Sequence, residues 1–201
     1  MEDLRAVVEA IGNHPVVVIG NSRGSTVAAH FATTYPHLVE KLVLAGLSPA
    51  QRGAPDAPHA DRWDREFLGR LGAAVAADDW PAVVRTFIAQ VAAGEPGCQK
   101  LIEGSIRIWS QMSPEVLKNF FKLDDPGCDV RALLPALQMP TLVLHGEADR
   151  NIPVEMGRWT SEQIAGAQFY VLKGRCHMFP ATAAVEFADV IRRFIRTGRP
   201  A

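Results

Sequence analysis

Cysteine, long apolar runs and net charge are all scarce in this sequence of 201 residues. Only Cys98, Cys128 and Cys176 are present. Their number is odd and no two stand at C-x-x-C spacing. That argues against a disulfide framework or a zinc site and favours a reducing compartment, the cytoplasm. No apolar run approaches the ~18 residues of a transmembrane helix, and no signal peptide opens the chain. The formal net charge is −1, so nothing electrostatic points to nucleic acid or to an anionic membrane as a partner. Repeats and low-complexity tracts are absent too. What is there is ordinary globular composition, 48% hydrophobic and 21% charged. The length suits one domain with a sizeable core.

The order of elements is more telling. Residues 2–12 read as an amphipathic helix with Leu4, Val7, Val8 and Ile11 on one face. The β-branched run Val16-Val17-Val18-Ile19 suits a strand buried on both faces, as in a parallel sheet. A helix is expected from about Ser25 to Tyr35. Further short strands are expected at 41–45, 141–144 and 168–172, with helices at about 154–165 and 181–196. Strand alternating with helix is the pattern of a parallel α/β sheet. Between the second and third strands the spacing turns helical. Trp63, Phe67 and Leu71 share a face, as do Trp80, Val84, Phe87 and Val91, and then Ile102, Ile106 and Trp109. The expected organisation is a core of residues 1–50 and 128–201 interrupted by a helical lid at 51–127.

Three short stretches carry chemistry. Gly20-Asn21-Ser22-Arg23-Gly24 is a G-x-S-x-G match placed between a buried strand and a helix, the setting of a nucleophile elbow. Such a turn lifts a serine hydroxyl above the sheet edge. The flanking glycines are expected to avoid clashes that a Cβ would make. The backbone N–H of Arg23 would face a developing oxyanion at the helix N-terminus. His145-Gly146-Glu147-Ala148-Asp149 follows the third strand. Asp149 there could steady a histidine, Glu147 is the rival carboxylate, and a turn or N-cap acid is the bland alternative. Gly174-Arg175-Cys176-His177 follows the fourth strand. His177 could reach back to Ser22 as general base and then general acid, or be a solvated loop histidine. Cys176 as a thiol nucleophile lacks an elbow. His14, His30, His37, His59 and His145 read as structural or surface residues.

In the order serine, acid, histidine, these stretches resemble the α/β-hydrolase superfamily, in its lidded branch of esterases and lactonases. The resemblance rests on VVVIGNSRGS, KLVLAG, PTLVLHGEADRNIP and GRCHMFP, and it spans nearly the whole chain. It implies Ser22 as nucleophile, Asp149 as acid and His177 as base, a small-molecule substrate, and no metal or organic cofactor. Hydrolysis of an ester, lactone or thioester through an acyl-Ser22 intermediate is the expectation. Asn21 before the serine is similar to the meta-cleavage-product hydrolases, which break carbon–carbon bonds. Met178 after the histidine departs from their usual tryptophan. Arg23 is unusual after the serine; it would meet a substrate carboxylate, line the rim, or pair with a lid acid. Family members also carry strands ahead of the elbow, roughly 80 residues at the usual size of βαβ units, with a His-Gly loop that supplies a second oxyanion donor. The expectation is that Met1 is an internal start. The alternatives are a part supplied by another chain, or an impaired fragment serving as a binding module. A strand at 16–19 left at the edge would favour pairing with a second copy.

Overall fold

The computed structural model describes residues 2–12, 15–51, 53–121 and 126–200. His14 and residues 122–125 of the expected lid lie outside them. The elements run α1 (Glu2–Ile11), β1 (Val16–Asn21), α2 (Arg23–Thr34) and β2 (Val39–Ala45). Four helices follow: α3 (Arg65–Ala76), α4 (Trp80–Val91), α5 (Gln99–Trp109) and α6 (Pro114–Phe120). Then come β3 (Thr141–Gly146), α7 (Val154–Gln163), β4 (Gln168–Leu172), α8 (Phe179–Thr182) and α9 (Ala184–Thr197). Among the described residues the sheet has the order β1-β2-β3-β4, and every pairing is parallel. This is the α/β fold that the strand and helix alternation predicts.

Period-two alternation decides which residue faces which layer. Leu42 and Leu44 of β2 pack on one face with Phe31, Ala28 and Ala32 of α2. Val43 and Ala45 turn to the other face, against Phe179, Val190, Ile191 and Phe194. Strand β3 is buried along its length, which its Leu-Val-Leu run requires. The helices between β2 and β3 gather their own core, with Phe67 and Leu71 meeting Val84, Phe87 and Val91.

Three expectations are corrected. Strand β1 is not buried on both faces: it stands at one edge of the described sheet, and Ile19 is 50% exposed. The apolar stripe of α1 is only partly covered, because Val8 is buried while Val7 and Ile11 are exposed. The closing helix is two helices, broken at Ala183 (φ −127°, ψ 39°). The break lets Phe179 and Phe194 reach the same core cluster. No helix among the described residues is long and apolar enough to cross a membrane.

Candidate active site

The parallel strands bring three chain-distant segments to one edge, because every strand ends on the same side. Ser22 follows β1, Asp149 lies three residues beyond β3, and His177 lies in the loop after β4.

Ser22 sits at φ 52°, ψ −123°, a left-handed backbone that non-glycine residues adopt rarely and at a cost of about 1–3 kcal/mol. Hydrogen bonds hold it there. Its N–H donates to the Ala45 carbonyl at 2.8 Å, and its own carbonyl accepts from the Ser25 N–H at 2.8 Å. Ser25 adds a bracket that no sequence pattern marks. Its buried hydroxyl donates to the Ala45 carbonyl (2.9 Å) and accepts from the Ala45 N–H (3.0 Å). The start of α2 is thereby tied to the end of β2.

The expectation about flanking glycines is half right. A Cβ at Gly20 would stand 2.5 Å from both the Gly24 carbonyl oxygen and Ser25 Cα. A Cβ at Gly24 would meet nothing within 4 Å. Backbone cannot yield as a side chain can. Gly20→Ala is therefore expected to destabilise the protein by about 3 kcal/mol. Gly24→Ala should change stability by less than about 1 kcal/mol, since alanine suits a helix better than glycine. Urea unfolding of the two variants checks this, and equal midpoints would show that the close approach at Gly20 is not a constraint.

His177 and Asp149 complete a hydrogen-bonded line with Ser22. His177 Nε2 lies 2.9 Å from Ser22 Oγ, and His177 Nδ1 lies 2.6 Å from Asp149 Oδ2. Both residues are 6% exposed. Asp149 Oδ1 accepts from the N–H groups of Asn151 (2.9 Å) and Ile152 (2.8 Å). The acid therefore organises its own turn and steadies the histidine at once. Full burial alone would raise the Asp149 carboxyl. The adjacent His177, with hydrogen bonds from His145 and His177, outweighs burial and holds it well below the usual carboxylate range. Glu147, the rival, is exposed and accepts instead from the Gly174 N–H at 3.0 Å.

Two supporting groups were not visible as such in the sequence. His145 is fully buried on β3; its Nε2 lies 2.9 Å from the Ile152 carbonyl and 3.4 Å from Asp149 Oδ2. It is structural, as expected, but its structure is that of the acid's turn. The other is Glu95, just past α4. It accepts from the Cys176 N–H (3.0 Å), Arg175 Nη1 (2.8 Å) and Thr182 Oγ1 (2.9 Å). One carboxylate thus pins both sides of the histidine loop. Burial opposes its ionisation, and these donors lower the carboxyl below its ordinary value.

Cys176 is buried, and burial pushes its thiol up to about 12. That leaves little thiolate at neutral pH, the wrong state for a nucleophile. Glu95, Cys98 and Cys176 do offer ligand atoms within 4.8 Å of one another. Sequence spacing could not reveal this grouping, because Cys98 and Cys176 are far apart in the chain.

Arg23 is the first residue of α2, so its N–H has no acceptor within that helix. Its side chain lines both cavities that flank Ser22. The smaller is about 90 Å³ and includes Thr26, Ser48 and Gln51. The larger is an open cleft of about 410 Å³ walled by Phe87, Ile88, Val91, Trp109, Phe120 and Met178. A hydroxyl that lines both a small and a large cavity is suited to attack on a carbonyl whose two substituents differ in size.

Residues 1–184 match the family described as the alpha/beta hydrolase fold. The chain belongs to that family, and it is an enzyme of the hydrolase class. It is 26% identical over 202 residues to a pimeloyl-[acyl-carrier protein] methyl ester esterase of Chromobacterium violaceum, covering 96% of this chain and 74% of the relative. It is also 26% identical over 199 residues to a 2-hydroxy-6-oxo-6-phenylhexa-2,4-dienoate hydrolase of Comamonas testosteroni, covering 96% of this chain and 67% of that protein. A bromoperoxidase from Bacillus anthracis shares the fold with a TM-score of 0.78 at 24% identity, over 96% of this chain and 72% of that one.

Proposed function

We propose that this protein hydrolyses an ester, lactone or thioester of a small organic molecule through an acyl-Ser22 intermediate. The observation that carries the reading is the unbroken line from Ser22 Oγ to His177 Nε2 and from His177 Nδ1 to Asp149 Oδ2, at 2.9 and 2.6 Å. In acylation, Ser22 Oγ attacks the substrate carbonyl and His177 Nε2 takes the hydroxyl proton. Asp149 balances the imidazolium that forms. The Arg23 N–H donates to the oxyanion. The tetrahedral species collapses, the bond to the leaving oxygen or sulfur breaks, and His177 returns the proton to it. A water, deprotonated by His177, then releases the acid and restores Ser22. Helices α3–α6 act as the lid, and α4, α5 and α6 bring Phe87, Ile88, Val91, Trp109 and Phe120 to the larger cleft. Cys98, Cys128 and Cys176 are all thiols outside any disulfide, which favours the cytoplasm as the setting.

Fluorophosphonate labelling read by intact mass tests the nucleophile directly. One adduct on the native chain and none on Ser22→Ala is the expected result. Absence of labelling on both would overturn the reading. The second reading is hydrolysis of a carbon–carbon bond in a vinylogous diketone. It is favoured by Asn21 in the cleft wall beside Ser22 and by relatives named as hydrolases of such compounds. Cleavage of a dienol diketone faster than of simple esters would move the assignment there.

A further inference from the structure

Arg23 brings to the nucleophile a positive charge that meets no carboxylate among the described residues. Its side chain is half-buried. One guanidinium nitrogen lies 3.3 Å from Cys128 Sγ, and the guanidinium carbon lies 5.1 Å from the centre of the Phe120 ring. Sulfur is a weak acceptor, and an aromatic face is a modest partner for a cation. Among the described residues no carboxylate pairs with Arg23; Asp124 and Asp125 of the expected lid lie outside them. Other arginines behave differently: Arg131 is held by Asp56 and Asp129, and Arg175 by Glu95. A partly desolvated charge without an anion is costly unless a ligand supplies one.

The surroundings indicate which ligand. Among the described residues the smaller cavity sets Arg23, Thr26, Ser48 and Gln51 among Phe87, Phe120, Phe121 and Ile152, and Arg23 is its one charged group. The Ser48 hydroxyl donates to the Ala50 carbonyl at 2.7 Å. At about 90 Å³ this space admits only a small group. The apolar remainder of a substrate has the larger cleft, which Ser22 also lines. Guanidinium and carboxylate are both planar and can form two parallel N–H···O bonds.

We propose that Arg23 makes the smaller cavity a carboxylate subsite, so that the preferred substrates are esters or lactones carrying a free carboxylate a few carbons from the scissile carbonyl. The proposal rests on Ser22 being the nucleophile, and the test separates the two. Monomethyl glutarate is compared with methyl 5-methylhexanoate, in which an isopropyl group replaces the carboxylate. The native protein should prefer the anionic ester in kcat/KM. Arg23→Met should reduce that ratio by about 10–100-fold, the size of charge-assisted hydrogen bonding, and Arg23→Lys should fall between. Should Arg23→Met fail to fold, Arg23→Gln carries the same expectation. A ratio unchanged in these variants, or a native preference for the neutral ester, would overturn the subsite. Calorimetric binding of both esters to Ser22→Ala, with and without Arg23→Met, probes the subsite without turnover. Tighter binding of the anion, lost with Arg23, supports the subsite even if no serine is ever labelled. Equal binding of the two esters sinks it, even if labelling at Ser22 succeeds.

Discussion

His177→Gln is expected to lower ester hydrolysis by up to about a million-fold, close to the loss from Ser22→Ala. The reason is shared labour. With no base at 2.9 Å from its hydroxyl, Ser22 keeps its proton and attacks no faster than an ordinary alcohol. A base with no nucleophile is equally idle. Two consequences can be measured together. The double variant Ser22→Ala, His177→Gln should be no slower than either single one, because residues that act as a unit are not additive. Fluorophosphonate labelling of Ser22 should fall along with turnover. A His177→Gln enzyme that retained more than about one part in a thousand of the native rate would show that another group activates the serine.

The three residues of the proposed triad were legible in the sequence because each lies next to an element end that local pattern marks. Val16-Val17-Val18-Ile19 before Gly20, Leu142-Val143-Leu144 before Gly146, and Phe169-Tyr170-Val171-Leu172 before Gly174 are strands with glycine punctuation. In a parallel sheet such ends converge whatever their separation along the chain. The supporting residues were illegible for the opposite reason. Glu95 reaches the histidine loop 80, 81 and 87 positions away, and nothing around it repeats or alternates. Ser25 carries no pattern of its own, and only the end of β2 beside it shows the hydroxyl bridging Ala45 at both backbone groups. The two cavities depend on how α4–α6 tilt over Ser22, which helical spacing does not encode. Even the elbow glycines were read correctly in kind and wrongly in share. The clash belongs to Gly20, where the helix start passes 2.5 Å away, and Gly24 faces open space.

Asp149→Asn tests whether the acid acts by charge alone or by fixing a proton. The amide can offer an oxygen to only one of the two sites that the carboxylate serves. The Asn151 and Ile152 N–H groups both point at Oδ1, so the amide oxygen is held there and its NH2 is turned towards His177 Nδ1. Donor then faces donor. The imidazole relieves this by moving its proton to Nε2, where it can no longer accept from Ser22. The expected loss is about 10⁴-fold in kcat. It should exceed any change in KM, because the defect lies in proton transfer. Stability carries a second signature. The Asp149 carboxyl is held below its ordinary value in the folded chain. Its contribution is thus present above the unfolded value of about 3.9 and is lost as pH falls towards the folded one. The asparagine variant has no such proton to take up. Urea midpoints of the two proteins should therefore stand furthest apart at neutral pH and draw together below about pH 4. A gap that stayed constant into acid would mean that folding does not hold the Asp149 carboxyl below its ordinary value. The kcat loss would then have to come from misplacement of the histidine and not from a lost charge.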